Sequence, residues 1–453
     1  MKELAEVLAV DFGDAEGIPK LKPDWRWEDE EQALLTSCSS LITTIETDDS
    51  RIVQFSHFSV KEYLTSERLA TSSGEVSRYY IDLEPAHTIL AQACLGVLLQ
   101  PDDGVEENGA EERSPLTGYA SRHWVTHAQF ERVSSFLRRA MENLFDADKP
   151  YFAAWLQLYD IDTNPTAVLY SSPSSSPLYW FAASTKSDTT PLYYAALCGF
   201  EDLVEHLVVK FPQHVDISGG YYVKPLFAAL AGRHFRTAKL LHRDGTQVDV
   251  RGREATPLGS AAYSGDLEMV QLLLDFKADV NVQDDGGWTA IHNSSCGSRF
   301  PTAHFDFPQL WPDITQLFLE RGADVNARTN DGETPLHQAG MVEVVRLLLE
   351  HGASIGAVDD EGRTPFHAVA EHGDVEVVRL LLERGANIGT VDNQGRTPFR
   401  AATEFEVVRL LLEHGANVGA VDDEGRTPFQ IASANEEDEV MEMLSEHNAK
   451  AVL

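Results

Sequence analysis

Cationic side chains are scarce in this chain of 453 residues: 36 Lys and Arg stand against 72 Asp and Glu, a formal net charge of −36 at pH 7. That balance repels nucleic-acid backbones and anionic lipid surfaces, which excludes both as main ligands and favours basic or apolar partners. Cysteine is scarcer still. Cys38, Cys94, Cys198 and Cys296 lie far apart with no C-x-x-C spacing, so neither a disulfide framework nor a zinc ribbon is expected, and buried thiols in a reducing compartment are. No apolar run approaches the ~18 residues of a membrane span. The N-terminus MKELAEVLAVDFGD is acidic and periodic, unlike a secretion signal. A soluble, cytoplasmic protein is the expectation. Phosphate-loop chemistry is missing too: no G-x-x-x-x-G-K-[ST] occurs, and the glycine pair Gly13 and Gly17 before Lys20 has the wrong spacing in an acidic loop. Without a paired Cys and His signature or a metal cluster, no enzyme, no cofactor and no metal are expected.

What the chain does contain is 43% hydrophobic residues, enough for packed cores, in a length that implies two or three structural units. The stretch 363–389, RTPFHAVAEHGDVEVVRLLLERGANIG, shows how the second half is built. Thr364 caps a first helix, Pro365 fits its first position, and Gly373 stands where it stops. Val377, Val378, Leu380, Leu381 and Leu382 form the apolar stripe of a second helix that ends before Gly385. One such unit cannot bury that stripe alone, so it must stack on copies of itself.

Copies are present. Helix-start dipeptides at Thr190, Lys224, Thr256, Thr289, Thr334, Thr364, Thr397 and Thr427 give intervals of 34, 32, 33, 45, 30, 33 and 30, a count of eight. A period near 33 with a T-P-L-H-x-A signature resembles the ankyrin repeat. The intervals of 30 imply a first helix one turn short before Glu343 and before Glu406. The interval of 45 carries an insertion over 294–310 that holds Phe300, Phe305 and Phe307. After the second helix, the column Asp216, Asp249, Asn281, Asn326, Gly356, Gly389 and Gly419 is expected to need a positive φ, which these residue types tolerate best. His292, His337 and His367, in T-x-x-H, are read as structural bonds to threonine.

Upstream, residues 2–10, 28–37 and 59–69 read as helices, 11–23 as a loop, and 41–45 with 52–55 as a hairpin. Helix, helix, hairpin and helix in residues 1–75 match a winged-helix-like module. With 7 Lys or Arg against 16 Asp or Glu there, it lacks the basic face DNA binding requires. The segments ELAEVLAV, TSCSSL and VQFSHFSVKEYL resemble the region that follows the NACHT domain in fungal NOD-like receptor proteins with ankyrin repeats. That resemblance implies a regulatory and sensing role, with the NTPase absent from this chain, either because the chain is a free-standing C-terminal product or because the gene model is incomplete. Residues 76–177 read as a helical connector ending in the Ser/Pro punctuation SSPSSSP; His123 and His127 within it are assigned to packing beside Trp124 and not to a half metal site.

The fold class expected is therefore mainly α: an ankyrin-repeat solenoid over 178–453, preceded by a small winged-helix-like α+β module over 1–75 and a helical connector. The function expected is protein–protein interaction, with other proteins as partners through a basic or apolar segment; an adaptor that recruits substrates to another machine and a fragment of an NTPase are the alternatives. Repeat arrays bind through the first-helix face and the hairpin tips. The tips here carry Asp285, Asn330, Asp360, Glu361, Asn393, Asp423 and Glu424, beside the recurrent Arg363, Arg396 and Arg426. Trp288, in the arginine column, and Phe305, in the insertion, are the candidate apolar anchors.

Overall fold

A threonine or lysine followed by proline opens seven first helices, because proline's fixed φ suits the first helical position and its missing N–H has no partner there anyway. The computed structural model describes residues 10–11, 20–21, 42–46, 51–55, 82–100, 116–161, 189–250, 255–299, 310–372, 374–402, 404–421, 424–434 and 438–451. Packing separates the chain near residue 246 into two units.

The first unit begins with two antiparallel pairs. β1 (Val10–Asp11) pairs with β2 (Lys20–Leu21), and β3 (Ile42–Glu46) with β4 (Arg51–Phe55) in the register Ile42 to Phe55 and Glu46 to Arg51. The second pair is the expected hairpin. The first corrects the reading of Val10 as helix and of 11–23 as loop: Val10 faces Leu21 across a ladder. The three helices that a winged-helix module requires otherwise fall outside the described residues, as does the SSPSSSP run.

Four helices follow, α1 (Leu83–Leu98), α2 (Leu116–Ala128), α3 (Val133–Leu144) and α4 (Tyr151–Leu158), and then two helix pairs, α5 (Pro191–Leu197) with α6 (Glu201–Lys210) and α7 (Pro225–Ala231) with α8 (Phe235–Arg243). Aromatic rings join the connector to the first pair. Trp124 meets Trp155 edge-on at 5.3 Å and Phe200 at 5.5 Å, and Tyr194 meets Phe152 at 5.6 Å. Around this cluster Trp155 Nε1 donates to Ser121 O at 3.0 Å, Tyr194 Oη to Asp160 Oδ1 at 2.8 Å and Gln129 Nε2 to Cys198 O at 2.8 Å, while Trp124 Nε1 is buried without a hydrogen-bond partner among the described residues. The connector thus closes the end of the first pair, burying apolar surface that a terminal repeat would otherwise expose.

The second unit holds six helix pairs: α9 (Pro257–Tyr263) with α10 (Leu267–Asp275), α11 (Ala290–Arg299) with α12 (Trp311–Glu320), α13 (Pro335–Gln338) with α14 (Val342–Glu350), α15 (Pro365–His372) with α16 (Val375–Glu383), α17 (Pro398–Ala401) with α18 (Phe405–Glu413), and α19 (Pro428–Ala434) with α20 (Asp438–Ala451). First helices pack on first helices and second on second, in two layers. α13 and α17 have four residues where α9 has seven, the lost turn implied by the short intervals. In α16, Val377, Val378, Leu380 and Leu381 are buried, whereas Leu382 is half-buried at the rim of the stripe.

The histidines clamp neighbours together. Nδ1 of His337 accepts from Thr334 N at 3.0 Å and lies 2.9 Å from its hydroxyl, while Nε2 donates to Arg363 O of the following repeat at 3.1 Å. His292 and His367 repeat this, reaching Glu333 O at 3.2 Å and Arg396 O at 3.1 Å. Both ring nitrogens are occupied only when the imidazole is neutral. Burial pushes His292 and His337 down to about 4, and His367 down as well.

One expectation is corrected here. Glycines with left-handed φ sit at helix ends and hairpin tips, such as Gly352 at 91° and Gly362 at 77°; Asn281, Asn326, Gly356, Gly389 and Gly419 are not among the residues with positive φ. Asn281 and Asn326 serve instead as side-chain bridges, with Asn326 Nδ2 donating to Gly352 O at 3.0 Å and Asn326 Oδ1 accepting from Ser354 N at 2.8 Å. The insertion is helical at its start: α11 runs on to Arg299, and Ser294 and Ser295 are buried. The remaining residues 300–309 lie outside the described set, Phe305 included.

Candidate functional site

Three hairpin tips of the second unit are folded around one buried carboxylate, Asp284, Asp359 or Asp392, and in the tip between the first two Thr329 takes that place, its hydroxyl accepting Glu333 N at 3.2 Å. Asp359 Oδ1 accepts Glu361 N at 2.9 Å and Arg363 N at 2.8 Å, and Oδ2 takes Arg363 Nε at 2.8 Å. Asp392 does the same with Gln394 N at 2.9 Å, Arg396 N at 2.8 Å and Arg396 Nε at 2.6 Å. Burial pushes the Asp392 carboxyl up, but those N–H bonds and the guanidinium outweigh it and hold it below the usual carboxylate range. Arg363 and Arg396 are thereby committed to their own turns. Arg363 also reaches Glu333 at 3.6 Å and Glu361 at 3.4 Å, and Arg426 pairs with Glu424 at 2.8 Å.

Successive tips are bonded to each other. Asn330 N donates to Gly286 O, Asp360 N to Asp331 O and Asn393 N to Glu361 O, each at 2.9 Å. The amides of Asn330 and Asn393 add bonds to Asp285 O at 2.8 Å and Asp360 O at 3.0 Å. Gly362 must lack a side chain for this contact, since a Cβ there would lie 2.6 Å from Asn393 Oδ1. Asn330 and Asn393, expected as contacts for a partner, thus also hold the edge in register.

The carboxylates of Asp360 and Glu361 are 69% and 64% exposed and that of Glu424 68%; Asp285 is exposed as well. Asn330, Asn393 and Arg426 are exposed too, and with these four acids they are the part of the expected site that the described fold turns to solvent. Asp423 and Phe305 lie outside the described residues.

Trp288 is not the exposed anchor the sequence implied. It is half-buried, its backbone N–H donates to Asp284 Oδ1 at 2.9 Å, and its ring lies 5.9 Å from that of His292. Standing where Arg363 and Arg396 stand in later repeats, it packs over its own turn. The letters G-x-S-x-G at 352–356 likewise are no nucleophile elbow: Gly352 ends α14, no strand precedes it, and Ser354 N is tied to Asn326. In the first unit, His127 Nδ1 faces His87 Nδ1 at 2.8 Å and Nε2 faces Tyr119 Oη at 2.7 Å, so neither nitrogen is left for a metal. Among the described residues no group of three or more His, Cys, Asp or Glu is placed to hold a metal ion, and no helix is long and apolar enough to cross a membrane.

One feature of this edge escaped the sequence reading. Val358, Val391 and Val421 stand in the same column, one residue before the buried aspartate position, and are 47%, 59% and 55% exposed. Earlier repeats put Gln283 and Arg328 there, and each reaches across to the next repeat: Gln283 Nε2 donates to Arg328 O at 3.0 Å and Arg328 Nη2 to Val358 O at 2.8 Å. The recurring VDD, VDN and VDD triplets were the signal available in the sequence.

Ankyrin repeats are matched over residues 311–392 and 385–453 (three copies) and over 226–274 and 258–305 (many copies). The chain is similar to the "Azaphilone pigments biosynthesis cluster protein L" of Monascus ruber, 30% identical over 261 residues, 55% of this chain and 52% of that protein. A putative ankyrin repeat protein of Rickettsia felis is 33% identical over 102 residues, 21% of this chain and 45% of that protein. The mouse "Ankyrin repeat and SAM domain-containing protein 6" is 34% identical over 104 residues, 22% of this chain and 12% of that protein. The chain thus spans about half the length, or less, of these relatives. None of these matches shows a relation to NACHT or winged-helix proteins.

Proposed function

We propose that the chain is an intracellular, non-enzymatic scaffold whose ankyrin repeats hold a partner protein through a basic segment. Ankyrin repeats generally mediate binding to other proteins, and one observation carries the finer reading: tip-to-tip bonds keep the edge in register while Asp360, Glu361 and Glu424 remain in solvent. Charges spaced along such an edge add their fields, which speeds the approach of a cationic segment and makes it sensitive to salt. The resemblance of 1–75 to the region after the NACHT domain supports assigning this scaffold to the sensing half of a NOD-like receptor-type protein in the cytoplasm.

The experiment is affinity capture of a partner followed by association kinetics at two salt concentrations. Neutralising Asp360→Asn, Glu361→Gln and Glu424→Gln together slows association and flattens its salt dependence, with little change in fold stability. An unchanged, salt-insensitive on-rate removes the acidic edge from the function. Calorimetry with ATP and GTP is expected to show no saturable binding; micromolar binding would contradict the non-enzymatic reading.

A further inference from the structure

We propose that Val358, Val391 and Val421 form a docking strip for an extended partner segment that presents arginines at every third position. The proposal rests on the scaffold reading above and names what the partner carries. Its template lies inside the molecule. Arg328 spans one repeat to the next, its Nη2 donating to Val358 O at 2.8 Å and lying 4.0 Å from Asp360 Oδ1. Gln283 makes the corresponding reach to Arg328 O. In the following repeats this column is valine, which has no donor, so Val358 cannot close over Val391 O nor Val391 over Val421 O. The strip lacks the cation of the Arg328 site and offers exposed isopropyl groups instead; Asn393 follows Val391 where Asp360 follows Val358, so the acids beside the strip are the exposed Asp360, Glu361 and Glu424 of the tips.

An external guanidinium fits that arrangement. It donates to a carbonyl, as Arg328 Nη2 does to Val358 O at 2.8 Å, with its charge favoured by exposed carboxylates along the edge, while its methylene stem covers the valine. Spacing selects the conformation of the segment. Packed helices set successive repeats about 8–10 Å apart, and three residues of polyproline II rise about 9.3 Å with every third side chain on one face. Exposed carboxylates at Asp360, Glu361 and Glu424 supply the complementary charge.

The probe is a fluorescein-labelled peptide of repeated Pro-Val-Arg triplets, read by fluorescence anisotropy on the full chain. Controls are a scrambled peptide of the same composition and one with Glu in place of Arg. The triplet peptide binds, and the scrambled one binds about tenfold or more weakly, a difference of about 1.4 kcal/mol. Val391→Arg fills the strip from within, as Arg328 does, and weakens the peptide about tenfold; Val358→Arg is the second variant, and thermal unfolding of both is compared with wild type so that a folding defect in one leaves the other as the test. Arg328→Val lengthens the strip and tightens the peptide severalfold. Equal binding of the scrambled peptide, or undiminished binding by a folded Val→Arg variant, overturns the strip. If a captured partner still depends on Asp360, Glu361 and Glu424 in that case, the strip fails and the scaffold reading stands.

Discussion

Asn326 accepts the backbone N–H of Ser354 through Oδ1 at 2.8 Å and returns a bond from Nδ2 to Gly352 O at 3.0 Å. Asn281 forms the same bridge one repeat earlier, with Asp324 N at 2.9 Å and Gly322 O at 3.1 Å. Gly356, Gly389 and Gly419 occupy this column later in the chain, without left-handed backbone, and a Cβ added at Gly356 meets nothing within 4 Å. Gly356→Asn is therefore expected to stabilise the second unit by about 1–2 kcal/mol, combining a net hydrogen-bond gain of about 1 kcal/mol with a smaller unfolded-state entropy. A urea midpoint that falls on this substitution would refute the bridge.

Helix 2 of the repeat at 363–389 is held by burial on both sides. Leu381 is fully buried, so Leu381→Ala is expected to cost about 2–5 kcal/mol. Glu383 is exposed, and Glu383→Ala is expected to stay within about 0.5 kcal/mol. Coincident denaturant midpoints for the two variants would contradict the stacking.

Acid sensitivity follows from the histidine clamps. His292 and His337 are lowered to about 4 when folded, against about 6.5 unfolded, so between those values the unfolded chain binds more protons than the folded one. Their contribution is complete above pH 6.5 and is lost as pH falls toward 4. Gln430 occupies the same place in the last repeat, where its Oε1 accepts Thr427 N at 2.8 Å. His337→Gln is thus expected to flatten the decline in melting temperature between pH 6.5 and 4. A profile identical to wild type would show that His337 does not titrate with unfolding.

The two tryptophans near the insertion are expected to differ. Trp311 is buried and donates from Nε1 to Tyr263 O at 3.1 Å, so Trp311→Ala is expected to cost about 3–5 kcal/mol. Trp288 is half-buried over a turn already held by Asp284, and Trp288→Ala is expected to cost less than half as much. Calorimetric unfolding of both variants separates them, and equal losses would contradict this division.

Helix starts, the number of pairs and the short first helices are legible in the amino-acid order, because Thr-Pro starts, apolar stripes and helix-end glycines act over a few neighbouring residues. His337 was readable as a structural clamp for the same reason, since Thr334 is three residues away. Which tip residues also bond to a neighbouring repeat depends on stacking. Asn393 looked as available as Asp360 until its amide met Asp360 O, 33 residues away in sequence, and Trp288 looked exposed until it packed over Asp284 and beside His292. The glycine column was misassigned because the need it answers is a bridge between repeats, absent in the later ones, and not a dihedral angle. Val358, Val391 and Val421 became visible as one strip only when stacking placed side by side residues that lie 33 and 30 positions apart in the chain. Contacts at that separation depend on how each repeat is set against the next, and no local propensity encodes that.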